Sequence, residues 1–193
     1  MTTTPATLNS FKTENQIYKD FKSCVEAALL HFGITGWEVK KLNQVIKTED
    51  LKPAVFIQLL AKKQVGAQWR KNVKTAIQNV DKFSKSYFAR KEITIRFSAT
   101  RRPLITDTAD TYNGIDILTL IRSYFLSLNG INTFAAANYA QYRATDIQTQ
   151  SFSNDDENIQ LMPYFDCDYI YTDDFADTIN KIDDVQEKDM EGV

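Results

Sequence analysis

The chain contains a single histidine and only two cysteines in 193 residues. His31 falls between Leu30 and Phe32 with no partner motif around it, so a helix-end role beside the C-terminal dipole outweighs catalysis. Cys24 and Cys167 stand far apart, Cys24 in an apolar helical pattern and Cys167 among strand-like aromatics. Without a secretion signal, two buried thiols are favoured over a disulfide. There is no GxSxG elbow, phosphate-binding loop, dinucleotide glycine pattern or CxxC, so the common catalytic signatures are missing. No apolar run approaches the roughly 20 residues needed to span a bilayer. The opening MTTTPATLNS has neither the basic segment nor the apolar core of a secretory signal. The chain is therefore expected to stay in the cytoplasm of the cell that makes it.

What is present fits a soluble globular protein, with 43% hydrophobic and 25% charged residues. The net charge of −2 conceals a division. From Glu38 to Pro103 there are 16 Lys or Arg against 5 Asp or Glu, and from Leu104 onward 4 against 17. Such a division bears on surfaces and partners rather than on fold. A basic side and an acidic side suit head-to-tail contacts between copies, unless the sheet interleaves the two halves.

Periodicity outlines the elements. Residues 1–12 read as a flexible arm. Thr13 and Gln16 have the form of a capping box. Ile17, Phe21, Val25, Ala28, Leu29 and Phe32 then make one helical stripe that Gly33 ends. A short strand is expected within Trp37–Val45, and a buried one in AVFIQLLAK after Pro53. Residues 62–86, rich in Lys and Arg, read as a long loop or an extended hairpin arm. Ile93, Ile95 and Phe97 alternate with Glu92, Thr94, Arg96 and Ser98 as a half-buried strand. Thr106 or Asp107 would cap a second helix whose face holds Ile117, Leu118, Ile121, Tyr124, Phe125 and Leu128. Asn129-Gly130 would close it, and Gly114 would kink or divide it.

Strand-like residues follow from about Tyr142 to Phe152, then the turn SNDDEN, then a strand over Ile159–Thr172. On that strand Phe165, Cys167, Tyr169 and Tyr171 share one face and Asp166 and Asp168 the other. Pro163 suggests an edge or a bulge. The predicted fold is α+β: an antiparallel or mixed sheet with two helices on one face and the basic arm projecting. One domain is expected over 13–175, with an acidic tail over 176–193.

Two chemistries compete with a purely structural role. Asp155, Asp156 and Glu157, then Asp166, Asp168, Asp173 and Asp174, are oxygen-rich, but their spacing is not that of an EF-hand, so no metal and no cofactor are expected. Lys and Arg of the arm, interleaved with Trp69, Phe83, Tyr87 and Phe88, would suit nucleic acid. The overall pI near 5.5 argues against a dedicated nucleic-acid binder. The residues favoured as subunit or partner contacts, from charge and exposure, are Lys62, Lys63, Trp69, Arg70, Lys71, Arg101, Arg102, Asp166 and Asp168.

The order of these elements resembles the neck-terminator or tail-terminator (tail completion) proteins of tailed bacteriophages. KEITIRFSA corresponds to their central strand, GIDILTLIRSYFLS to the following helix, and ATDIQTQSF and IQLMPYFDCDYIY to the closing strands. IYKDFKSCVEAALLHF and PAVFIQLL match the first helix and strand, so the likeness covers roughly 14–175. The basic segment 62–86 departs from it, because a shorter connection is expected there. The resemblance implies a non-enzymatic virion protein that forms a homo-oligomeric ring, commonly a hexamer, at the neck or top of the tail. Such a ring caps the tail tube, ends its polymerisation and joins it to the head connector. Implied partners are copies of itself, the tail tube protein, head–tail connector or adaptor proteins and the sheath. No membrane is involved, and genome DNA passes through the ring without specific binding. Assembly would take place in the host cytoplasm. The alternatives are another connector or collar subunit, a nucleic-acid-binding accessory protein, and a metal-dependent hydrolase using the aspartates.

Overall fold

A computed structural model describes residues 12–42, 52–66, 69–77, 80–101, 111–153 and 159–179. The elements are α1 (Glu14–His31), β1 (Glu38–Lys41), β2 (Ala54–Gln64), β3 (Trp69–Ile77) and β4 (Val80–Thr100). They continue as α2 (Gly114–Leu126), α3 (Leu128–Ala136), β5 (Ala140–Ala144), β6 (Gln148–Ser153) and β7 (Ile159–Ile179). The fold is α+β with a mixed sheet. The chain divides into two compact units, one of Lys12–Gln64 with Lys91–Tyr171, the other of Met1–Phe11, Val65–Arg90 and Thr172–Val193.

The first unit holds the hydrophobic core. Its strand order is β1-β2-β4-β7-β5, with β6 also pairing β7. β1 runs parallel to β2, while β2 with β4, and β5 and β6 with β7, are antiparallel. The alternation read in the sequence decides which face is covered. Ile93, Ile95, Phe97 and Ala99 of β4 and Phe165, Cys167, Tyr169 and Tyr171 of β7 are buried in one cluster with residues of all three helices. Phe21 stands at its centre, with ring centroids 4.7 Å from Tyr169, 4.9 Å from Tyr139 and 5.7 Å from Phe134. Full burial of a phenylalanine here contributes about 1.5–3 kcal/mol from transfer alone.

Helix α1 starts and stops nearly as its sequence suggests. Thr13 Oγ1 accepts from the Gln16 amide at 3.1 Å. The expected capping box is only half made, because the Gln16 side chain donates to Asp20 instead, at 2.8 Å. At the other end Gly33 adopts φ +67°. Its amide reaches the Leu30 carbonyl and that of Ile34 the Leu29 carbonyl, the paired bonds of a Schellman ending. Phe32, expected on the inner stripe, is 37% exposed, because it has become the cap residue rather than part of the last turn.

The second helical region differs from expectation. Thr106 and Asp107 lie outside the described residues, and the observed cap is Asn113, in a complete box with Asp116. Gly114 is the first helical residue, where a Cβ would come 3.0 Å from the Ala99 carbonyl oxygen and 3.1 Å from Pro163 Cγ. The helix does divide, but at Ser127. Its hydroxyl donates to the Tyr124 carbonyl at 2.6 Å and accepts from the Gly130 amide at 3.3 Å, ending α2 and starting α3. Asn129-Gly130 therefore does not close the helical region. Gly130 sits in the first turn of α3, buried against the end of α2. The described residues thus hold three helices where two were expected. α3 ends on Asn138, whose φ of +63° takes the left-handed position.

The strand expected over Tyr142–Phe152 is two strands, β5 and β6, separated at Thr145–Ile147. Pro163 is not at an edge: β7 has β4 on one side and β5 and β6 on the other. Its register with β6 is unbroken at Thr149, and the irregularity along β7 lies instead between Gln141 and Arg143 of β5. In the second unit the basic segment is a hairpin arm: β3 pairs with the first part of β4 from Trp69 opposite Phe88 to Ile77 opposite Val80. Lys62 and Lys63 belong instead to the end of β2. The metal-candidate cluster Asp155, Asp156 and Glu157, the N-terminal arm over 1–11 and the tail from residue 180 lie outside the described residues.

Candidate interaction surface

The polar positions of β4 and β7 that point away from the helices form a ladder of pairs. Arg96 Nε and Nη2 donate to the two carboxylate oxygens of Asp166 at 2.8 and 3.0 Å. The guanidinium also lies 4.0 Å from the centroid of the Tyr164 ring. The Asp166 hydrogen bonds raise the guanidinium pKa further above its usual value. One rung along, Thr94 Oγ1 donates to Asp168 at 2.6 Å, and Arg143 of β5 approaches the other Asp168 oxygen at 3.9 Å. Next, Lys63 of β2 meets Glu92 at 2.7 Å. The Lys63 and then the Tyr142 hydrogen bond hold the Glu92 carboxyl below its usual range. The side chains of Arg96 and Asp166 are 26% and 20% exposed. Fork-to-fork geometry and partial burial make this pair stronger than an ordinary surface ion pair.

This ladder joins the basic segment of the sequence to the acidic one. Asp166 and Asp168, candidate contacts for a partner, are engaged within the chain. Lys63 shares their face. Lys62, with the opposite parity, donates to the Lys12 carbonyl at 2.9 Å and lies 5.7 Å from the Tyr171 ring centroid. Arg101 follows β4 at its other end and donates to the Tyr112 carbonyl at 2.9 Å. It helps to line a cleft of about 350 Å³ with the Gly33–Trp37 turn, Pro53 and Tyr112. Trp69, Arg70 and Lys71 lie on β3, and the register places Arg70 on one face of the hairpin and Trp69 and Lys71 on the other. Arg102 is outside the described residues. Within the unit of Lys12–Gln64 and Lys91–Tyr171, Lys63, Asp166 and Asp168 therefore share one face, while Lys62 and Arg101 lie elsewhere.

Arg96, Thr94, Arg143 and Tyr142 belong to the ladder and were not among the sequence candidates. The signal existed in the alternation Glu92–Thr94–Arg96 against Asp166–Asp168, but reading it required knowing that β4 and β7 are neighbours. A second surface lies where α1 ends beside the α2–α3 junction. The His31 ring there is 5.2 Å from that of Tyr124, and Leu30, Leu126, Leu128 and Ile131 are exposed, Leu30 by 80% and Leu128 by 71%. Among the described residues, no three His, Cys, Asp or Glu side chains are grouped as a metal site.

The geometry is that of a protein with paired strand-face charges and an apolar helix corner. Its family is set by comparison: the profile described as E217 gateway protein gp29 matches residues 12–181. The chain belongs to this bacteriophage gateway protein family. The match begins at Lys12, runs through every described element, and includes the basic hairpin. No curated protein matches the chain. Membership gives it a structural role at the head–tail region of a phage and an association with the virion.

Proposed function

We propose that this gateway-family chain is a non-enzymatic neck subunit whose copies form a closed ring, commonly of six, on the end of the tail tube. In this reading the ring stops tube growth and offers its other face to the head connector. The family match over residues 12–181 carries the proposal, and the α+β fold agrees with the likeness to tail-terminator proteins. The mechanism is geometric. A subunit that buries one face on the last tube ring and presents an unlike face outward leaves no site for another tube subunit. A stable ring needs roughly 1,200–2,000 Å² buried at each contact. The exposed leucines and Ile131 at the helix corner supply apolar area for it.

Native mass spectrometry across concentration and salt, followed by mixing with purified tail tubes under negative stain, tests this. A closed ring that caps tubes and halts their elongation is the expected result. A ring that binds only portal or connector particles would instead make the chain a collar or connector subunit. Failure to bind tubes or connectors would end the neck reading.

A further inference from the structure

The register of the β3–β4 hairpin sorts the residues of the basic arm in a way the sequence alone does not show. Successive strand residues alternate between faces, and residues directly opposite share a face. One face therefore carries Arg70 opposite Tyr87, Asn72 opposite Lys85, Lys74 opposite Phe83, and Ala76 opposite Asp81. The other carries Trp69 opposite Phe88, Lys71 opposite Ser86, Val73 opposite Ser84, Thr75 opposite Lys82, and Ile77 opposite Val80. On the first face three cationic positions interleave with two aromatic ones, and its single acid falls at the far end. On the second, Lys71 and Lys82 stand among apolar and hydroxyl positions, and its two aromatics, Trp69 and Phe88, sit opposite each other at one end rather than between the cations.

We propose that the first face, Arg70, Lys74 and Lys85 with Phe83 and Tyr87, binds a nucleic-acid strand. Three cations set along a ribbon complement a polyanionic backbone and release its counterions. Two aromatics at alternate positions add stacking on bases or contact with sugars. An acidic protein segment would need the cations but not the interleaved rings, so the register favours nucleic acid. The inference does not depend on ring formation or tube capping, because it concerns the arm of a single copy.

The test is fluorescence anisotropy on the full chain with a labelled DNA oligonucleotide, single-stranded in one arm and duplex in the other, over a salt series. Neutralisation of three phosphates predicts a log–log salt slope of about −2 for the single strand and about −3 for the duplex. The variant Arg70→Gln/Lys74→Gln/Lys85→Gln, checked for fold by circular dichroism, should weaken binding at least about tenfold and flatten the slope. Lys71→Gln/Lys82→Gln on the second face should weaken it much less. Phe83→Leu/Tyr87→Leu should weaken single-strand binding by about tenfold. A loss confined to that arm assigns the rings to unpaired bases, and an equal loss in both assigns them to sugars. No binding at low salt, binding unaffected by the triple variant, or equal losses from both faces would overturn the proposal. So would self-association, rather than DNA binding, that disappears in the triple variant.

Discussion

Cys24 and Cys167 are free and buried, and burial changes what their thiols can do. Desolvation, with a contribution from the Asp20 carboxylate, pushes Cys24 up to about 12. Desolvation alone is the leading cause of the same rise at Cys167, also to about 12. A thiol held neutral is neither nucleophilic nor easily oxidised. Native protein should therefore react with a thiol reagent at pH 8 only as fast as it unfolds, and fully on addition of denaturant. The linkage has a definite sign. Both folded values lie above the ordinary value of 9.0, so their contribution is intact below pH 9 and is lost as pH rises toward about 12. Urea midpoints should fall through that window. Cys167→Ala, although less stable than the parent at pH 8, should show a shallower alkaline decline. An equal decline in both proteins would remove the thiol from the explanation.

At the scale of elements, Gly130 shows how one residue type serves different ends. After an apolar run it reads as a helix stop. In the fold it occupies the first turn of α3, where a Cβ would collide with the Tyr124 carbonyl oxygen and come 2.7 Å from Phe125 Cα. Both neighbours are backbone and cannot rotate away, so Gly130→Ala must separate α3 from α2. The expected loss is about 2–3 kcal/mol in denaturant unfolding, whereas Asn129→Ala, with no comparable approach, should cost well under 1 kcal/mol. Equal effects would mean that the helix junction gives way easily. The same contrast explains what the sequence could and could not reveal. The stripe of α1 and the alternations of β4 and β7 were legible because each element buries one whole face in a single core. β3 owes its strand character to pairing with β4, which no local pattern encodes. The break at Thr145–Ile147 was hidden for a related reason, since β5 and β6 are successive partners of one long strand. The ladder of Arg96, Asp166, Thr94 and Asp168 depended on strand adjacency, and so did the fate of the aspartates as internal partners.

For the whole molecule, the two compact units raise the question of which one carries the folding free energy. Among the described side chains, every member of the core cluster lies within Lys12–Gln64 or Lys91–Tyr171. A two-stranded ribbon such as the Trp69–Phe88 hairpin is at best marginally stable on its own. The register also shows where it could be removed. Gln64 opposes Lys91 at the end of the β2–β4 ladder, and the Val65 amide still donates to the Arg90 carbonyl at 2.9 Å. That bond holds the two strands at hairpin spacing, so replacing residues 67–88 with a two-residue Asn-Gly turn would complete a tight hairpin. The shortened protein should keep its far-ultraviolet helix signal and unfold in one cooperative step, with a thermal midpoint within about 3 °C of the parent, equivalent to roughly 1 kcal/mol. A much larger drop, or loss of cooperativity, would show that the hairpin supports the core. Retained folding would mark the basic arm as an appendage kept for what it contacts, and the same shortened chain would then separate arm-dependent DNA binding from ring formation and tube capping.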